Sequence, residues 1–184
     1  NAVAAEHHFE KDSEVAQAIA ELSARLGSLD DPDEPSDESR AFALLEAERL
    51  MELGHIERAE SKYLAAERCY LRAIEIFQEH GDRAGEGSAL SQRGIIYERK
   101  GELTQSIEHF TQALAIAREI GNRNIEGSTL CNLGMIYDQI GNLDLSIAHY
   151  TQSLNIAREI GNRPGEGVTL GNLGTIHRRK GELE

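Results

Sequence analysis

The chain has 184 residues, enough for one ordinary domain with a core of its own. Its formal net charge of -13 sets it against phosphate backbones and anionic lipid, so neither nucleic acid nor a membrane surface is expected as a partner. No apolar run approaches the roughly 20 residues of a membrane helix, and the two cysteines, Cys69 and Cys131, lack CxxC spacing or a companion His at metal-ligand spacing. They read as free thiols of a reducing compartment, and the expected location is cytoplasmic.

Residues 1–27 read as a separate helix, with Val15, Ile19, Leu22 and Leu26 along one apolar edge. A cap over the neighbouring helices is the plain reading of this segment, and occupancy of a binding groove the sharper one. His7 and His8 read as surface residues. Residues 28–39, SLDDPDEPSDES, carry six acids, no base and two prolines, the composition of a solvated linker.

A forty-residue period fills the rest. Residues 81–120 and 121–160 agree at 22 of 40 positions without a gap, and residues 161–184 agree with 121–144 at 13 of 24. The octet IAREIGNR stands unchanged at 116–123 and 156–163. A fainter copy occupies 40–80, where Leu50, Gly54, Ile56, Ala73 and Ile76 keep step with Leu90, Gly94, Ile96, Ala113 and Ile116. The chain thus divides into units at 40–80, 81–120 and 121–160 and the first half of a fourth at 161–184, which reads as part of a longer array.

Each unit reads as two helices. Leu90, Gly94 and Tyr97 fall on one face of the first, and Leu130, Gly134 and Tyr137 repeat them. Leu103, Ile107, Phe110, Leu114 and Ala117 make the stripe of the second, repeated by Leu143, Ile147, Tyr150, Leu154 and Ala157. No stretch has the period of two that a strand needs. Gly121 and Gly161 are expected to end second helices, and Gly101, Gly141 and Gly181 first helices, by taking the left-handed backbone. Asp82, Asn122 and Asn162 are placed to cap the next helices, with Pro164 inside a first turn. Gly94, Gly134 and Gly174 sit inside helices, where Gly costs roughly 1 kcal/mol against Ala. A close helix approach explains them, with Ala73, Ala113 and Ser153 expected opposite and Tyr70, Phe110 and Tyr150 packing around.

The series Leu133, Gly134, Tyr137, Gly141, Ser146, Tyr150, Ser153 resembles the tetratricopeptide repeat, whose unit is about 34 residues. The resemblance covers residues 41 to 184. It departs at the early aromatic, here Leu90, Leu130 and Leu170, and at the closing Pro, here Arg118 and Arg158. The first unit departs further, with Glu57 in the Tyr place and Ser61 in the Gly place. The long unit is similar to repeats of the Partner of Inscuteable family, of kinesin light chains and of bacterial signalling proteins. It implies an all-α, right-handed solenoid of stacked antiparallel helix pairs whose first helices line a concave groove.

That resemblance also implies the function: a protein-interaction scaffold holding a peptide or helix of a partner, with no catalysis and no cofactor. A peptide-sensing regulatory domain, or the binding arm of an enzyme or transcription regulator whose effector lies beyond residue 184, is the alternative. The groove residues off the core stripe include Ile95, Met135 and Thr175, with Arg99, Asp138 and Arg178 farther along. Gln92, Asn132 and Asn172 form an amide ladder able to pair with a peptide backbone. Arg83, Arg123 and Arg163 form a second ladder, open to acidic side chains or tied to Glu86, Glu126 and Glu166 three residues on. The sequence argues against clamping of a terminal carboxylate, because Met51, Ser91, Cys131 and Gly171 hold the place of its Lys. His109 and His149 recur in register and read as satisfied surface residues. The sequence GDRAGEG lacks the Lys-Ser/Thr ending of a phosphate loop, and the remaining charge runs read as solvated faces. Leu170, Leu173 and Ile176 form a half-covered stripe expected to drive self-association.

Overall fold

The computed structural model describes residues 37–183. The chain forms two compact units, Asn1–Ala43 and Leu44–Glu184, and the repeats fill the second. Among the described residues there are seven helices and no strand. They are α1 (Asp37–Ala59), α2 (Tyr63–Glu79), α3 (Arg83–Arg99), α4 (Leu103–Glu119), α5 (Arg123–Gln139), α6 (Leu143–Glu159) and α7 (Arg163–Leu183). The forty-residue period is therefore a helical hairpin, used three times and begun a fourth. From α2 onward each helix packs on the next, and Tyr70 of α2 sits against Gly54 of α1, giving an α-solenoid of stacked pairs. Asp37, Glu38 and Ser39, read as linker, form the first turn of α1, where acidic side chains suit the positive helix end. The rest of the linker and the helix expected over 1–27 lie outside the described residues.

The joints explain the repeated octet. Asn122 N–H donates to Ala117 O at 2.8 Å and Gly121 N–H to Arg118 O at 3.3 Å, a double closure that requires the left-handed Gly121 at φ +67°. Asn122 then caps α5, its Oδ1 accepting from Ile125 N–H at 3.1 Å. One residue thus closes one helix and opens the next. Asn162 does the same, and Asn142 caps α6 as well. In the first hairpin Ser61 takes the left-handed place of the missing Gly, at φ +61°. Gly181 does not stop its helix: α7 runs through it to Leu183. At Gly101 and Gly141 a following second helix packs back and holds the turn, whereas among the described residues no helix follows α7.

The close approach also differs from expectation in its partner. A Cβ on Gly94 would stand 2.7 Å from the Phe110 ring, one on Gly134 2.8 Å from Tyr150 and one on Gly54 2.5 Å from Tyr70. The aromatic ring itself occupies the glycine notch. The small residue Ser153 lies one helical step away, donating to Gly127 O at 2.8 Å. The residues that reach the notch glycines are Ser106 and Ser146, whose hydroxyls donate to Gly94 O at 2.9 Å and Gly134 O at 2.6 Å. Phe110, Leu114, Leu130, Leu133, Ile136 and Ile156 join these hairpins into one core.

Candidate functional site

Successive first helices touch one another, α3 with α5 and α5 with α7, while no comparable contact joins α2 with α4 or α4 with α6. A stack whose members close up on one side curves toward that side, so the first helices line the hollow face of this unit. Side chains spaced near the repeat length stitch that face. Ser91 Oγ lies 3.0 Å from Thr129 Oγ1, and Gln139 donates to Glu98 at 3.0 Å. Arg179 pairs with Asp138, and the Cys131 thiol stands 4.0 Å from Thr169 Oγ1.

These contacts sort the expected groove residues. Asp138 is engaged by Arg179, and Ile95 packs on the core joining the second and third units. Met135 is half-buried and Thr175 exposed, its hydroxyl turned back to Gly171 O at 3.1 Å. Arg99 is exposed with Nε 3.4 Å from Glu98, and Arg178 is exposed with no ion pair among the described residues. Gln92, Asn132 and Asn172 are all half-buried on the first helices, and Gln92 Oε1 is buried without a hydrogen-bond partner. Asn132 and Asn172 make no side-chain hydrogen bond among the described residues, unlike the capping asparagines.

The arginine ladder is committed elsewhere. Arg83 binds Glu86 on its own helix and Glu119 at the far end of the paired helix; Arg123 binds Glu126 and Glu159 in the same way. Arg163 pairs with Glu166. Glu86 and Glu126 are buried, and each accepts a second bond from the preceding unit: Gln78 to Glu86 at 2.7 Å, Arg118 to Glu126 at 3.0 Å. Arg158 reaches Glu166 at 2.8 Å. Among the charged letters of the octet, Arg118 and Arg158 thus staple one unit to the next, while Glu119, Arg123 and Glu159 tie together the two helices of a unit. The Arg83 and Arg123 guanidinium groups hold the Glu119 and Glu159 carboxyls below their ordinary range. A further lock joins α2 to α3, where the Tyr97 hydroxyl donates to Glu67 at 2.6 Å and Lys100 reaches the same carboxylate at 3.3 Å.

His109 and His149 are not satisfied surface residues. They are half-buried, stacked on Tyr97 and Tyr137 with ring centroids 5.0 and 5.2 Å apart, and the Nδ1 atom of each is buried without a partner. Burial pushes both imidazoles below their ordinary pKa. Cys69 and Cys131 are free and half-buried, and burial pushes both thiols up. The half-covered stripe at the last helix is also smaller than expected. Ile176 is only 1% exposed, because its place, like that of Ile96 and Ile136, is covered by the preceding second helix. Leu170 remains 44% exposed and Leu173 half-buried, with no helix following α7 among the described residues.

Sequence reasoning missed one feature of this face. A cleft of about 210 Å³ lies between α5, α6 and α7, beside Asn132. Its walls include Cys131, Ile156, Ala157, Gly165 and Val168, and no charged side chain lines it.

A family model for the tetratricopeptide repeat matches residues 45–119, 85–159 and 125–184. The chain belongs to the tetratricopeptide repeat family. Comparison with curated proteins gives no match. Among solved structures, this tetratricopeptide repeat chain is similar in fold to aspartyl phosphate phosphatase F from Bacillus subtilis, at 17% identity and a TM-score of 0.73, over 76% of this chain and 37% of that one. It is similar to BtubC (BKLC) from P. vanneervenii, at 17% identity and a TM-score of 0.71, over 95% of this chain and 68% of that one. It is also similar to the apo form of RapI, at 16% identity and a TM-score of 0.73, over 96% of this chain and 46% of that one. The chain therefore spans less than half the length of two of these three structures. No described helix is long and apolar enough to cross a membrane.

Proposed function

We propose that the first-helix face of this interaction scaffold binds an extended or helical segment of a partner protein. Asn132 and Asn172, with Gln92, hold its backbone, and Met135 and Thr175 lie beneath it. One observation carries this reading: the amides of Asn132 and Asn172 are left uncommitted, while Asn122, Asn142 and Asn162 are spent as helix caps. An amide with no partner inside the protein can both donate to and accept from a peptide backbone laid over it. Arg99 and Arg178, both exposed, favour acidic side chains flanking the segment. Arg123 and Arg163 act on binding only through the shape of the stack. The segment belongs to another protein, no cofactor takes part, and the repeats themselves catalyse nothing. A cytoplasmic setting suits the two free thiols. Leu170 and Leu173 are the surface through which self-association would run.

A second reading is favoured by the chain's coverage of less than half of phosphatase F and RapI. In it the stack is a sensing or binding arm whose bound segment signals to a further module. Both readings share one test. Peptides selected by display against the whole chain are titrated onto it and onto the double variant Asn132→Ala, Asn172→Ala. A loss of about tenfold or more is expected from two to three hydrogen bonds. Unchanged affinity with unchanged helicity would eliminate the amide ladder.

A further inference from the structure

The three joints between units place a pair of side chains opposite one another, and their sizes compensate at the first two only. At the first, Phe77 stands against Gly85, where an added Cβ would lie 2.5 Å from the ring. At the second the sizes exchange, with Ala117 and the half-buried Ile125 in those places. At the third both are small, Ala157 and Gly165, and the atoms nearest to a Cβ on Gly165 belong to its own cap, Asn162, at 2.6 Å, rather than to a side chain across the joint. The volume that neither side chain supplies is the cleft of about 210 Å³, with Ala157 and Gly165 both in its wall.

We propose that this cleft is a subsite for one branched aliphatic or aromatic side chain of a bound peptide, with Asn132 at its rim holding that residue's backbone amide. The chain itself names the occupant. A phenyl ring fills the equivalent space at one joint and a sec-butyl group at the next. Of the polar side chains in the walls, Ser153 Oγ donates to Gly127 O at 2.8 Å, Thr169 Oγ1 to Gly165 O at 2.8 Å and Ser128 Oγ to Ile125 O at 3.1 Å, and Asn162 is a helix cap, which leaves the Asn124 and Asn132 amides open. Ile156, Ile160 and Val168 supply apolar surface. A charged occupant would find no counter-ion there, at a desolvation cost nothing offsets. The size suits a whole side chain, since an apolar protein cavity of about 150 Å³ takes benzene. This inference rests on the first-helix face being the binding face.

Methyl-labelled protein separates the two claims. It is titrated with blocked alanine pentapeptides whose central residue is leucine, phenylalanine, glycine or glutamate. The leucine and phenylalanine peptides are expected to shift the Val168, Ile156 and Ile160 methyls. They should bind about tenfold to a hundredfold tighter than the glycine peptide, the advantage of burying one apolar side chain. Gly165→Ile and Ala157→Phe each fill the cleft from an opposite wall, with precedent at Ile125 and Phe77. Either should erase that preference while helicity stays the same. Equal binding of all four peptides, tightest binding of glutamate, or a preference that survives both fillings overturns the subsite. A glycine peptide that shifts Met135 without any gain for leucine leaves the groove standing and removes the cleft. Leucine shifts at the cleft without a response at Met135 do the reverse, and silence throughout removes both.

Discussion

One repeat position offers two contexts for the same substitution. Gly94 and Gly134 face a ring that fills the notch; Gly174 faces nothing within 4 Å. Ala at any of them gains about 1 kcal/mol of helix propensity. At Gly94 the new Cβ would stand 2.7 Å from Phe110, which is fully buried and cannot swing away. Forcing an extra carbon into such packing costs about 1–3 kcal/mol. Because this Cβ lies well inside contact distance, the upper half applies, and Gly94→Ala should lose about 1–2 kcal/mol net. Gly134→Ala should behave alike against Tyr150. Gly174→Ala carries the gain with no clash and should stabilise by up to about 1 kcal/mol. Urea denaturation monitored by circular dichroism reads all three, and Phe110→Leu added to Gly94→Ala should recover part of the loss. A change of stability in the same direction for Gly94→Ala and Gly174→Ala would refute the notch.

Three further outcomes rest on the same geometry. Ser61→Gly should stabilise the first hairpin by about 0.5–1 kcal/mol, because a left-handed backbone costs Ser about 1–2 kcal/mol, less the greater unfolded freedom of Gly; thermal melting measures it. Burial, with Arg93 near His109 and Arg118 near His149, lowers both imidazoles, so the folded state prefers them neutral. Stability is then full above the unfolded value of about 6.5 and falls as pH drops through it toward the lowered folded values. Replacing both with Gln should flatten that limb in denaturation curves taken from about pH 6.5 downward. Glu126→Ala should cost about 1–2 kcal/mol, discounted for the exposure of its two arginines, and Glu119→Ala should cost less, both read by denaturant midpoint.

The sequence made some of this visible and hid the rest for physical reasons. Hairpins, caps and left-handed glycines were legible because each is fixed within a few residues, and the octet spells one such local device. The glycine notch was legible as a close approach, but its occupant was not, since helix rotation decides whether Phe110 or Ala113 points into it. His109 and His149 recur in register, which marks a structural role without telling which face they turn to. The staples through Glu86 and Glu126 joined charges that a single-helix reading pairs only three residues apart. The cleft was spelled by the Phe77/Gly85, Ala117/Ile125, Ala157/Gly165 series. Reading it required knowing that positions eight apart face each other across a joint.

The central claim is that partners dock on the hollow side lined by α3, α5 and α7. The most direct measurement is a nuclear magnetic resonance map of a display-selected peptide on the labelled chain. The account predicts shifts at the Asn132 and Asn172 side-chain amides and the Met135 methyl, with Thr111 and Thr151 on the second helices unmoved. Shifts gathered on α4 and α6, with those amides silent, would contradict it.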